Sequence, residues 1–210
     1  MYNPNHFKKD DLTKLHDFVH NFNFATVISS QDGNTTASHL PLLVDRSRGK
    51  YGTLIGHFAK ANPQWKTFQN ESTVFCVFNG PHGYISPTWY KDPLNVPTWN
   101  YAVVHVYGKP SIIDDPRKVE SILQGLVDRH ETQFKDPWKY NLPTEFRDKL
   151  VNAIVGFEIE VHSIEGKFKL SQNRSKNDWE SAVHGAKKHY QHSNPDLVKM
   201  MQIEFDRAQK

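Results

Sequence analysis

The sequence contains a single cysteine, Cys76, among its 210 residues. One thiol excludes an intramolecular disulfide framework and a zinc site built from several thiolates. No apolar run approaches the roughly 18 residues that a membrane-spanning helix needs. The first residues, MYNPNHFKKDDL, lack the apolar core of a secretory signal. These absences predict a reduced, cytoplasmic protein that has no contact with a membrane.

Neither sign of charge dominates the sequence. Lysine and arginine number 26 and aspartate and glutamate 23, which gives a net charge of +3. So small an excess gives no electrostatic footprint of the kind that drives DNA binding by itself. The sequence also lacks a glycine-rich phosphate loop, a G-x-S-x-G elbow, an H-E-x-x-H pair and a helix-turn-helix pattern. The function classes that depend on these motifs have no support.

Hydrophobic residues make up 37% of the chain and aromatic residues 12%, which is enough to form a buried core. β-Branched and aromatic runs separated by short polar turns predict a series of strands. Helical periodicity and capping residues predict helices between and after them. The predicted strands are 24–30, 35–44, 51–58, 71–79, 98–113, 155–161 and 167–172, with a turn at 165–166. The Asp32-Gly33 pair predicts a tight hairpin turn between the first two strands. The predicted helices begin near residues 10, 62, 115, 144, 175 and 194.

Strands joined by short turns favour an antiparallel sheet over a parallel one, because parallel strands need long crossovers. A closed barrel would also remove exposed sheet edges. The predicted fold class is therefore mainly β, an antiparallel barrel with peripheral helices. The proline-rich stretch 87–97 is irregular, and loops of this kind are usually functional or poorly ordered. The aromatic content of residues 80–101 exceeds what such a barrel can bury, which predicts a homodimer.

Five dense polar and aromatic segments are the candidates for function. They are Ala37-Ser-His-Leu-Pro41, Gly56-His-Phe-Ala-Lys-Ala-Asn-Pro-Gln-Trp65, Gly80-Pro-His-Gly-Tyr-Ile-Ser-Pro-Thr-Trp89, Pro97-Thr-Trp-Asn-Tyr101 with Val104-His-Val-Tyr-Gly108, and Lys167-Phe-Lys-Leu-Ser-Gln-Asn-Arg174. In their content and order they resemble the segments of the PaiB-type FMN-binding negative transcriptional regulators. The resemblance runs from Met1 to about Ser175.

The resemblance implies an antiparallel split β-barrel like that of the pyridoxamine-phosphate oxidases and flavin reductases. It also implies a homodimer that holds FMN between its subunits, as a ligand or as a redox sensor. The FMN-binding domain would span residues 1–175, and residues 176–210 would form a helical extension to which no role is assigned. Contact with DNA is implied by the resemblance alone.

A phosphate site is predicted at the turn after the strand 51–58. Lys60 supplies a cation, and Asn62 with Pro63 begins a helix whose amides and dipole favour an anion. Related split barrels hold the flavin phosphate at a similar turn. The same residues are also what an ordinary solvated lysine and helix cap would look like.

Further polar and aromatic residues of these segments could contact the ribityl chain or the ring of the flavin. Trp65, Trp99 and Tyr101 offer aromatic surface, although tryptophans in such positions often belong to a core or an interface. The complete set of predicted FMN-binding residues is Ser38, His39, Leu40, His57, Lys60, Asn62, Gln64, Trp65, Thr98, Trp99, Asn100 and Tyr101.

Three alternatives stay open at this stage. His39, His57, His82 and His105, one in each of four segments, could converge on a metal or a haem. The basic residues Lys167, Lys169 and Arg174 could hold a phosphate or form ordinary surface charge. The protein could also be a flavin- or haem-dependent oxidoreductase of the same superfamily. Cys76 lies in an apolar strand and is predicted to be an inert core residue.

Overall fold

The computed structural model describes residues 1–70 and 73–209, and within them it has eight strands and five α-helices. The strands are β1 (Lys8–Lys9), β2 (Phe24–Gln31), β3 (Asn34–Pro41), β4 (Leu43–Asp45), β5 (Thr53–Ala59), β6 (Val74–Ile85), β7 (Thr98–Ile113) and β8 (Ile154–Lys169). The helices are α1 (Leu12–Asn21), α2 (Pro116–Glu131), α3 (Thr144–Asn152), α4 (Lys176–Tyr190) and α5 (Pro195–Ala208). Short 3-10 helices cover Asn5–Phe7, Pro63–Asn70 and Pro87–Trp89.

The strands form one sheet in the order β3-β2-β6-β7-β8-β5-β4, and β1 pairs with β8. Its resolved registers are antiparallel, as the short connections predict. By contacts the chain divides into two compact units. We call one the sheet unit (Leu12–Phe78 and His105–Ile164) and the other the helix unit (Met1–Asp11, Asn79–Val104 and Glu165–Lys210). Within the sheet unit β3 also lies close to β5, so the sheet curls back on itself as a barrel requires.

The predicted hairpin between β2 and β3 is confirmed. Asp32 and Gly33 both have positive φ angles, 50° and 79°, which suits a two-residue turn that matches the twist of the strands. The turn fixes the register, which pairs Val27 with Ser38 and Thr26 with His39. Because side chains alternate along a strand, this register decides which residues of β3 face the core.

The predicted strand 35–44 is in fact two strands with different partners. β3 ends at Pro41 and pairs with β2, whereas β4 pairs with β5. Proline has no amide hydrogen to continue the ladder. The next amide, that of Leu42, donates instead to the carbonyl of Asn23 at 2.9 Å. The chain therefore changes partner at Pro41, which hydrophobic alternation alone could not show.

Other predicted elements also differ from the structure in their bounds or their type. No turn interrupts the chain at 165–166, because β8 continues through it and Gly166 pairs with Lys9 of β1. The predicted strand 71–79 is observed from Val74 to Ile85, and its first two residues lie outside the described part of the chain. The helix predicted at Asn62 is a 3-10 helix. The remaining predicted helices are confirmed as α1 to α5.

An aromatic cluster forms the centre of the sheet unit. The rings of Phe58, Phe68 and Phe157 lie 4.7 to 5.1 Å apart, and all three side chains are fully buried. Phe68 belongs to the 3-10 helix Pro63–Asn70, so this cluster anchors that helix on β5 and β8. Cys76 is also fully buried, and burial raises the pKa of its thiol to about 12, which keeps it protonated.

The helix unit is organised around α4 and α5. Trp179 of α4 packs edge-on against Phe205 of α5 at 5.3 Å. The Asp178 carboxylate accepts the backbone amides of Asp92 and Lys91 at 3.0 and 2.7 Å. These bonds hold the pKa of Asp178 below its usual value and fix the proline-rich loop on α4. Among the described residues, no helix is both long enough and apolar enough to cross a membrane.

Gly108 of β7 lies directly against the backbone of β8. A Cβ atom at this position would lie 2.4 Å from the carbonyl oxygen of Glu160, which is backbone and cannot turn away. We expect Gly108→Ala to lower the free energy of unfolding by at least about 2 kcal/mol, as measured by urea unfolding. Gly125→Ala is the matched control. Its Cβ would meet only the end of the Leu43 side chain, at 3.0 Å, in a helix that favours alanine. Equal stability of the two variants would contradict the prediction.

Candidate functional site

The turn that follows β5 is held by backbone and side-chain hydrogen bonds. The amide of Lys60 donates to the carbonyl of Ala153 at 2.8 Å, and the amide of Asn62 donates to Ala59 at 2.9 Å. The indole nitrogen of Trp65 donates back to the carbonyl of Lys60 at 3.1 Å. Trp65 therefore closes the turn, and the position of the Lys60 backbone is fixed.

Gln64 joins the 3-10 helix to two strands. Its side chain is only 1% exposed. Its amide nitrogen donates to the carbonyls of Val27 and Thr36, at 3.0 and 3.2 Å, and contacts the Ser29 hydroxyl at 3.1 Å. Its amide oxygen accepts the hydroxyl of Ser38 at 2.5 Å. With its polar atoms satisfied inside the sheet unit, Gln64 positions its neighbours and has no free group for a ligand.

Asn62 and Ser38 form the half-buried end of this network. The side-chain nitrogen of Asn62 donates to the Ser38 hydroxyl at 2.8 Å, and its oxygen accepts the amide of Gln64 at 3.0 Å. The predicted cap at Asn62 is therefore confirmed. The Asn62 nitrogen keeps a second hydrogen that can reach a ligand.

Ser38 and His39 lie on opposite faces of β3. Ser38 pairs with the buried Val27, and Leu40 pairs with the buried Ala25, so both are directed toward the core side. His39 is exposed on the outer face, where its ring contacts the hydroxyl of Thr26 at 3.1 Å. One ligand on one face of β3 therefore cannot contact both Ser38 and His39 directly.

The predicted phosphate site consists of a cation and free helix amides, and Lys60 supplies the cation. Its side chain is exposed at the end of the rigid turn, and none of the ion pairs in the described residues includes it. The helix amides contribute less to this site than predicted. The amides of Lys60, Asn62 and Gln64 are bonded within the protein, and Pro63 has no amide hydrogen. Charge, and not a set of free helix amides, is what this turn offers to an anion.

His57 is half-buried in β5, in register with Gly156 of β8. Its Nδ1 atom is buried, with no hydrogen-bond partner among the described residues. Burial lowers the pKa of His57, which favours the neutral ring at pH 7. Such a nitrogen can bond a polar ligand atom. As to the four-histidine alternative, no group of three or more histidine, cysteine or acidic side chains within residues 1–70 and 73–209 is arranged to hold a metal ion.

The other predicted residues belong to the helix unit. Trp99, which is 53% exposed, and Tyr101 line an open groove of about 320 Å³ together with His82. Asn100 points the other way: it is fully buried, and its amide nitrogen donates to the Ser171 hydroxyl at 2.9 Å. The hydroxyl of Thr98 accepts a hydrogen bond from the ammonium of Lys169. The groove could cover an aromatic ring, while Asn100 has a structural role.

An outer face of the sheet unit was not among the predicted sites. The ring of Phe75 stacks on Tyr107 at 4.7 Å and meets His105 edge-on at 4.8 Å. Ile28 pairs with Phe75 in the sheet, and all four side chains are half-exposed. The almost wholly apolar run 74–78 could have indicated this face. A strand that is buried on one face only alternates apolar and polar residues, whereas a continuous apolar run places apolar side chains on both faces. We call Ile28, Phe75, His105 and Tyr107 the outer face.

The structural role of Gln64 gives a direct prediction. In Gln64→Leu the buried carbonyl of Val27 would lose its bond to Gln64, and the hydroxyls of Ser29 and Ser38 would each lose one bond. A buried polar group left unsatisfied costs about 1–3 kcal/mol. We expect a loss of about 3 kcal/mol in the free energy of unfolding. Gln69→Leu, an exposed position of the same 3-10 helix, should change it by less than about 0.5 kcal/mol. If the two variants unfold at the same urea concentration, the network does not stabilise the turn.

Comparison with solved structures identifies the fold. A conserved hypothetical protein from Mycobacterium tuberculosis superposes with a TM-score of 0.60 at 11% identity, over 83% of this chain and 94% of that one. The flavocytochrome Anf3 from Azotobacter vinelandii gives a TM-score of 0.57 at 12% identity, over 77% and 69%. The predicted antiparallel split β-barrel with peripheral helices is confirmed.

Sequence comparison identifies the family. Residues 1–163 match the family described as "Putative FMN-binding domain". The chain is 35% identical to protease synthase and sporulation protein PAI 2 of Bacillus subtilis over 211 residues. That alignment covers 100% of this chain and 99% of the relative, and so includes α4 and α5. The chain belongs to the PaiB-type family of FMN-binding proteins, and FMN is its cofactor.

Proposed function

We propose that the protein is a homodimeric, cytoplasmic FMN-binding regulator of the PaiB type that holds the flavin between subunits as a ligand or redox sensor. The observation that carries the flavin site is Lys60, an exposed ammonium at the end of a turn fixed by Asn62, Gln64 and Trp65. A rigid turn holds this cation ready for a phosphate without a large cost in chain entropy.

The residues around Lys60 fit an FMN molecule in three respects. The ammonium of Lys60 would balance the phosphate, and charge-assisted hydrogen bonds of this kind are the strong ones. The remaining hydrogen of Asn62 would reach a polar group of the ribityl chain. The unpaired Nδ1 of His57 is a further buried group that a bound ligand could satisfy. When bound, FMN supplies a ring that accepts electrons, and the protein tunes and shields that ring.

The proposed dimer rests on the outer face. Ile28, Phe75, His105 and Tyr107 form a half-exposed apolar and aromatic patch on three adjacent strands. Phe24 extends the patch on β2 and is 63% exposed. Contiguous apolar surface of this kind usually marks an interface. A second copy of the same face would bury these side chains through a two-fold contact.

A regulatory role follows from membership of the family, and the chain's charge bears on how it would act. With a net charge of +3 the protein has little electrostatic attraction to DNA by itself. We therefore propose that regulation is indirect and does not depend on electrostatic attraction of the protein to DNA. DNA binding that weakens steeply with salt would contradict this part of the proposal.

A flavin- or haem-dependent oxidoreductase is the second candidate. It is favoured by the open groove of about 320 Å³ beside Trp99 and Tyr101, which has room for a small aromatic substrate. A flavocytochrome shares the fold, although identity of 12% carries no function. The two candidates differ in turnover. With NADH or NADPH as electron donor and an added electron acceptor, a flavin reductase oxidises many donor molecules for each bound flavin. A sensor kept free of oxygen and of added acceptor is reduced at most once for each bound flavin.

Substitution of Lys60 tests the flavin site. We expect Lys60→Ala to weaken FMN binding about tenfold or more, because a charge-assisted hydrogen bond contributes about 1.5–3 kcal/mol and 1.4 kcal/mol is one decade. Riboflavin lacks the phosphate and should bind the wild type and the variant equally. Fluorescence titration of both flavins into both proteins measures the two effects. Lys66→Ala, an exposed lysine of the following 3-10 helix, is the control. An equal loss for both flavins would remove Lys60 from the phosphate site.

Substitution of Ile28 tests the dimer. The wild type should sediment at twice the 24.3 kDa of one chain at micromolar concentration. Ile28→Arg would place a charge inside the two-fold contact and should give a monomer that still folds, since the side chain can reach water in the monomer. Ser121→Arg, on the exposed side of α2, should stay dimeric. A monomeric wild type would overturn the proposed assembly.

A further inference from the structure

Three cations of the helix unit converge at the end of β8 and in the segment after it. Lys167 is buried, and Lys169 and Arg174 are half-buried. Lys167 and Lys169 are two residues apart on one strand, so their side chains leave the same side of it. Burial, followed by the charges of Lys167 and Arg174, lowers the pKa of Lys169, which indicates that the three charges act on one another.

Each of these cations is bonded to a neutral oxygen. The ammonium of Lys167 donates to the carbonyl of Tyr2 at 2.9 Å. The ammonium of Lys169 donates to the Thr98 hydroxyl. Arg174 donates to the side-chain oxygen of Asn95 at 2.6 Å. No carboxylate among the described residues forms an ion pair with any of the three.

Three acidic side chains of the helix unit bond to groups outside the cluster. Glu165 pairs with the amino group of Met1 at 2.9 Å. Glu204 pairs with Lys9 at 2.5 Å and with Arg207 at 2.9 Å. Asp178 accepts backbone amides of the proline-rich loop. The positive charge of Lys167, Lys169 and Arg174 is thus left uncompensated in a partly buried place, where charge is costly.

The hydrogen-bonding groups of the cluster suit an anion with several oxygens. Thr98 accepts from Lys169 and keeps its own hydroxyl hydrogen for a ligand. Arg174 uses one N–H on Asn95, and its guanidinium lies 4.9 Å from the ring centre of Tyr90, which orients the remaining donors. Lys167 lies 5.6 Å from the ring centre of Tyr101. The cluster therefore offers several directed donors and a charge of three.

We infer that Lys167, Lys169 and Arg174, with the hydroxyl of Thr98, form a binding site for a phosphate group within the helix unit. The turn at Lys60 belongs to the sheet unit and offers one cation, whereas this cluster belongs to the helix unit and offers three. The phosphate could be that of FMN or that of a second phosphorylated small molecule. Both ligands carry a doubly charged phosphate, and a competition titration with FMN decides which of them binds at the cluster.

The test is calorimetric titration of full-length protein with inorganic pyrophosphate. We expect saturable binding to the wild type and a loss of tenfold or more in Lys169→Met, which keeps the length of the side chain and removes its charge. Lys188→Met removes one exposed charge of the same unit and should bind like the wild type. Arg174→Gln is the second variant in case Lys169→Met fails to fold, as judged by thermal unfolding. Absence of saturable binding to the wild type would overturn the site, as would equal losses in Lys169→Met and Lys188→Met.

Titration in the presence of FMN separates the two sources. If saturating FMN abolishes pyrophosphate binding while riboflavin does not, the cluster holds the flavin phosphate. If pyrophosphate binds equally well to the FMN-saturated protein, the cluster serves a second ligand. Both results support the phosphate site. Lys60→Ala reports on the proposed flavin site alone, so its failure leaves the pyrophosphate result intact.

Discussion

The buried amide of Gln64 is the interaction on which the candidate flavin site depends. It binds two backbone carbonyls and two hydroxyls of β2 and β3. Since a buried amide is costly to leave unpaired, these four bonds fix the position of the 3-10 helix on the sheet. The orientation of Asn62, the closure of the turn by Trp65 and the placement of Lys60 all follow from that position.

The register of the β2–β3 hairpin then divides the neighbouring residues between two tasks. A shift of one residue would exchange Ser38 and His39 between the faces of the sheet. As observed, Ser38 is on the core side with Gln64, and His39 is on the outside with Thr26. The turn Asp32-Gly33, which sets this register, thereby also decides which side chains of β3 join the network with Gln64.

The sequence predicted the elements of the fold better than the roles of the site residues. Strong local signals such as Asp32-Gly33, Asp115-Pro116 and Asn194-Pro195 placed a turn and two helix starts correctly. Pro41 ended β3 within one predicted strand, because a change of partner depends on the whole sheet. The exposure of a side chain likewise depends on residues that are distant in the sequence. Gln64 and Asn100 look like ligand-binding polar residues in the sequence, and only the packing around them shows that they are buried and satisfied.

The turn at Lys60 and the cationic cluster at the end of β8 differ in how their positive charge is compensated. Lys60 is exposed, so water screens its charge and the chain loses little stability by leaving it unpaired. Lys167 is buried and Lys169 and Arg174 are half-buried, so water screens these three like charges less, and no carboxylate among the described residues forms an ion pair with them. Local arrangements that lower stability without a structural gain occur mainly at functional sites. A bound anion would remove both the mutual repulsion and the desolvation cost, so occupancy of the cluster should stabilise the helix unit as well as hold the ligand.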